Sequence, residues 1–138
     1  MSRAAAYAVS AAIMLALDLF WLGVVAPPFY RAHIGALMRP QPDVVAAVLF
    51  YAIYLVGVNE FVLRERLEDP SVRPVALRGA LFGLVAYATF DLTAQAVLAG
   101  WSPVVTAVDM AWGTLLTATV AAGTWAIGRR GSRSRATR

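Results

Sequence analysis

Four apolar runs, at residues 4–26, 44–63, 75–99 and 104–127, most constrain what this chain can fold into. Each is as long as the roughly 20 helical residues needed to cross a hydrocarbon core. In lipid every backbone polar group must be bonded within a helix or a closed barrel. Barrel strands alternate in polarity over about ten residues, whereas these runs are apolar on every side. An all-α fold is therefore expected, a polytopic bundle of four transmembrane helices. Composition agrees, with 60% of the 138 residues hydrophobic and 14% charged, against about a quarter charged in soluble domains. Helix breakers fall between the runs: Pro27 and Pro28, predicted to end the first helix, then Pro40 and Pro42, Pro70 and Pro74, and the hairpin from Gly100 to Pro103. The first run follows Arg3 as a signal peptide would, but it is too long and contains Asp18, so it reads as a span.

The net charge of +4 is carried entirely by arginines on the basic side. In a four-span topology, ten of them lie on the side of the termini and the middle loop, and only Arg31 and Arg39 lie opposite. The positive-inside rule then puts both termini in the cytoplasm. Residues 1–128 form a single transmembrane domain, and the tail at 129–138, RRGSRSRATR, is expected to be a disordered basic segment at the membrane surface. Membrane lipids are the expected partners, each arginine contributing about 1 kcal/mol at an anionic surface. Cysteine is absent, and the one histidine, His33, lies in an amphipathic stretch from Phe29 to Arg39 that suits the interface. No metal and no cofactor are expected. Phosphate-loop, serine-hydrolase and nucleic-acid-binding patterns are absent, so nucleic acid is set aside as a partner and no recognisable catalytic motif remains.

Asp18, Asp91 and Asp109 lie inside the first, third and fourth runs, where an aspartate costs about 2.5–3.5 kcal/mol on insertion scales. Counted from the outer helix ends at 1.5 Å per residue, all three fall about 9–12 Å deep, in one layer. Tyr51 and Tyr54 of the second helix reach the same level and can donate to a carboxylate. Trp21 and Trp112 each follow an aspartate by three residues, on the same helix face, in a recurring DxxW that hints at an internal repeat. Gly83, Tyr87, Asp91 and Gln95 form a polar stripe at steps of four, beginning at a GxxxG of Gly79 and Gly83, and the fourth helix carries Thr106, Asp109, Gly113, Thr117 and Thr124. Small residues and hydroxyls of this kind line helix contacts in membranes, so the aspartates are expected to face the interior. Three carboxyls in one pocket cannot all ionise cheaply, and at least one is expected to hold a proton. Glu60 stands four residues before Arg64, the spacing of an interfacial ion pair; a deeper role, as the inner station of a proton route, is the alternative.

The segments LDLFWLG, FYRAHIGALM, AAVLFYAIYLVGV, GLVAYATFDLTAQAVLAGW and VDMAWGTLLTA resemble a family of small bacterial membrane proteins designated only as a domain of unknown function. The likeness runs from Ala16 to Ala118 and rests on Asp18, Trp21 and Gly23, on Phe50, Tyr51 and Tyr54, on Tyr87, Asp91, Leu92 and Thr93, and on Asp109, Trp112 and Gly113. Ala94 departs from the family's usual DLTN by removing an amide. The resemblance implies a multi-pass protein of the bacterial cytoplasmic membrane and carries no activity. Three functions remain open. The first is proton- or cation-linked transport through the aspartates, which calls for a homo-oligomer because four helices enclose little. The second is an enzyme or accessory factor acting on a lipid or acyl-chain substrate, and the third a structural subunit of a larger membrane complex.

Overall fold

The computed structural model describes residues 1–136, with side chains as far as residue 131. Five α-helices follow in order: α1 (Arg3–Phe20), α2 (Ala26–Ile34), α3 (Val44–Gly57), α4 (Val72–Val97) and α5 (Pro103–Ala136). No strand occurs among the described residues. Four stretches are long and apolar enough to cross a membrane: Arg3–Leu37, Val44–Leu63, Val72–Val97 and Pro103–Gly131. This is the all-α, four-span architecture expected of the sequence. Side-chain oxygens open three of the helices, with Ser2 accepting from the Ala5 amide, Asp43 from Ala46 and Ser71 from Arg73.

Two helices carry π turns. Trp21–Val25 joins α1 to α2, with the Ala26 amide bonded to the Trp21 carbonyl five residues back, and Val58–Leu63 extends α3. The first of these corrects an expectation. Pro27 and Pro28 do not end the helix; they sit in the first turn of α2, and the wider turn before them separates the two helices without breaking the run. A proline lacks the N–H for a bond four residues back, and its place in a fresh first turn removes the need for one. The expected break at residue 129 is also absent, since α5 continues through Arg129 and Arg130 to Ala136. The side chains of the remaining tail lie outside the described residues.

The fourth span is the most enclosed of the four. Gly79 and Gly83 let α4 lie against α5: a Cβ on Gly83 would stand 2.0 Å from the Gly113 carbonyl oxygen, and one on Gly79 would stand 2.7 Å from that of Thr117. The apolar core fills the half of the bundle nearer the termini, around Met14, Val58, Leu116 and Val120. Met1 packs against Gly128, and Arg3 pairs with Glu60, which sets both ends of the chain on one face of the bundle. The middle loop is tied to α5 there, where the Trp125 indole and Arg129 both donate to the Asp69 carbonyl, at 3.0 and 3.1 Å. Leu19, Val48, Ile53, Leu81 and Leu115 point outward, as the surface of a bundle in hydrocarbon requires.

Candidate functional site

The half of the bundle away from the termini holds the three aspartates, all buried. Asp18 comes from α1 and accepts from the Trp112 indole of α5 at 3.3 Å, with the Tyr51 hydroxyl of α3 within interaction range. Asp109 of α5 accepts from the Tyr30 hydroxyl, which in turn accepts from the Trp21 indole at 3.4 Å. The two indoles lie stacked, with centroids 4.4 Å apart and planes within 9°. The two DxxW segments therefore cross-pair. Trp112 serves the aspartate of α1 directly, and Trp21 serves that of α5 through Tyr30. α1 and α5 run in opposite directions, and the indole of α5 that bonds Asp18 lies three residues beyond Asp109.

Asp91 is fully buried, and neither carboxyl oxygen has a hydrogen-bond partner among the described residues. The Asp109 carboxyl stands within interaction range of it. Behind Asp91, Thr106 lies 3.5 Å from its backbone carbonyl and accepts from the Trp101 indole at 3.0 Å. None of the three aspartates takes part in a salt bridge among the described residues. In a medium of low dielectric an isolated carboxylate is costly. Two carboxyls without a counter-ion are held together by a shared proton or by a bound cation.

Tyrosines close the site on the side of the core. Tyr87 packs its ring over Gly113, where a Cβ would meet it at 2.2 Å, and interacts electrostatically with Asp18, Tyr30 and Asp109. Tyr54 is buried, with its hydroxyl 2.7 Å from that of Thr117 and its ring edge-on to Tyr87. Of the residues singled out in the sequence, Asp18, Asp91, Asp109, Trp21, Trp112, Tyr51, Tyr54 and Tyr87 come together. Gln95 does not, being exposed one turn beyond Asp91. Each step of four residues overshoots a helical turn by about 40°, so the buried stripe of α4 returns through Ala94 instead.

Tyr30 is the member that sequence reasoning missed. Following two prolines in a short amphipathic stretch, it reads as an interfacial aromatic. Helical side chains lean toward the N-terminus of their helix, and with the phase of α2 shifted by the extra residue of the π turn the hydroxyl reaches back to Asp109. The other ionisable cluster lies at the opposite end. There Glu60 accepts from Arg3, from Arg64 at 2.9 Å and from Tyr7 at 3.2 Å, so the expected ion pair with Arg64 is one part of a larger group.

No curated protein and no solved structure matches the chain. A family described as a predicted membrane protein, DUF2177, matches residues 3–126 and so takes in the first three spans, most of the fourth and every residue of the acidic site. The chain belongs to this membrane protein family of unknown function.

Proposed function

We propose that the chain is a proton-linked transport protein of the bacterial cytoplasmic membrane, with both termini cytoplasmic and the Asp91–Asp109 pair as the group that takes up and releases the proton. The observation that carries the reading is Asp91 itself, a buried carboxyl that faces the Asp109 carboxyl and has neither a hydrogen-bond donor nor a salt-bridge partner among the described residues. Tyr30 is the natural gate, because its hydroxyl bonds one member of the pair and sits on the short helix that follows the π turn. Four helices leave little room for a separate pathway, so we place the working unit in a homo-oligomer. Lipid transformation has less support, since no recognisable catalytic motif accompanies the acids.

The test is proton flux into liposomes reporting internal pH, driven by an imposed potential. The wild type is expected to exceed protein-free vesicles by at least tenfold, and Asp91→Asn to fall to their level. Equal flux in wild type and Asp91→Asn would overturn the reading.

A further inference from the structure

The end of the bundle that holds the termini contains a cleft of about 870 Å³, lined by Arg3, Tyr7, Asn59, Glu60, Arg64 and Glu68 among others. Asn59 sits within the π turn at the end of α3 and is 4% exposed. Its amide nitrogen donates to Ser10 Oγ at 2.9 Å and to the Leu55 carbonyl at 2.8 Å. A carbonyl oxygen only accepts, so the bond to Leu55 fixes which end of the amide is nitrogen. The remaining oxygen, Oδ1, is buried and has no partner. A buried acceptor in that state costs about 1–3 kcal/mol and is ordinarily satisfied by ordered water, which needs a polar site with room for it. Asn59 lines the cleft, and a water entering from it would give Oδ1 its partner.

Ser10 and Asp18 lie on one buried stripe of α1, with Met14 between them at 0% exposure. Val58, Leu116 and Val120 complete the layer around Met14, each 1% exposed or less. From Ser10 to Asp18 the rise is about 12 Å, and no α1 side chain on that stripe crosses it with a polar group. Glu60 at this end is held in ion pairs by Arg3 and Arg64.

We propose that the cleft is a water-filled vestibule that penetrates the membrane from the face of the termini as far as Asn59, hydrates its Oδ1, and is shut off from the aspartates by the Met14 layer. It rests on the reading of the aspartates as a proton site only in its purpose: the Met14 layer is then the barrier that keeps that site from exchanging with both faces at once. The vestibule and the barrier themselves are geometric.

The chain has no cysteine, which makes the test direct. Single cysteines at Asn59, at Ala6 (which lines the same cleft), at Met14 and at Asp18 are reacted with a charged, membrane-impermeant thiol reagent applied to the face of the termini. Cysteines at 59 and 6 are expected to react at least tenfold faster than those at 14 and 18. With Met14→Ser added, the cysteine at 18 is expected to rise by at least tenfold, and with Met14→Leu to stay slow. Absent labelling at both 59 and 6 would overturn the vestibule, with Ala6→Cys covering the loss of the Asn59 bonds. Equal rates at 14 and 59, or an unchanged rate at 18 with Met14→Ser, would overturn the barrier. These rates require no proton flux, so failure of the transport reading would leave them standing or falling on their own.

Discussion

At the scale of single residues, the acidic site is held by donors brought in from other helices. Tyr30 is the sharpest case, donating to Asp109 while accepting from Trp21. Tyr30→Phe keeps the ring and removes both bonds, leaving the Asp109 oxygen without its donor. The expected loss is about 1–3 kcal/mol, read as a lowered unfolding midpoint in detergent. Gln95→Leu is the control: exposed and outside the cluster, it is expected to stay within about 0.5 kcal/mol of the wild type. The contrast also marks what the sequence makes legible. An aspartate in an apolar run announces itself because its cost is large wherever the run is placed. A tyrosine after two prolines carries no such signal, and its role depends on a π turn whose residues, Trp21 to Val25, are apolar like their neighbours.

At the scale of elements, run length and breakers locate the spans because backbone satisfaction in lipid allows little else. The contact between α4 and α5 is also legible, through the GxxxG of Gly79 and Gly83. Gly83→Ala would set a methyl against a backbone carbonyl that cannot turn aside. Separation of the two helices is expected, with a cost at or above the 1–3 kcal/mol usual for overpacking. Gly23→Ala meets nothing within 4 Å and is expected to leave the unfolding midpoint unchanged. What the sequence hides is the phase of α2. A π turn holds one residue more than the α-helical path it replaces, so deleting exposed Val24 is expected to restore α geometry while keeping Tyr30 on its side. Deleting Val85, equally exposed on α4, should instead rotate Asp91 about 100° away from Asp109. Comparing the two deletions by unfolding midpoint checks the account, and a Val24 deletion as damaging as that of Val85 would refute it.

At the scale of the whole molecule, the two ends of the bundle differ in kind. One end carries the termini, the middle loop and a charged cleft around Glu60. The other carries buried carboxyls with no counter-ion among the described residues, and the apolar layer around Met14 lies between them. An asymmetric barrier of this sort does work only if the chain inserts one way round. On the positive-inside rule the arginine balance of ten against two would supply that direction, with the termini in the cytoplasm. In cells expressing single-cysteine variants, a cysteine at exposed Gln41 is expected to react with an impermeant reagent from outside. One at exposed Glu68 is expected to react only after permeabilisation. Glu68 lies on the side of the termini and lines the cleft, so the same pair of variants also says which face the vestibule opens to. Labelling of both positions in intact cells would mean that the chain inserts in two orientations, and any proton site in it would then work in opposite directions in the same membrane.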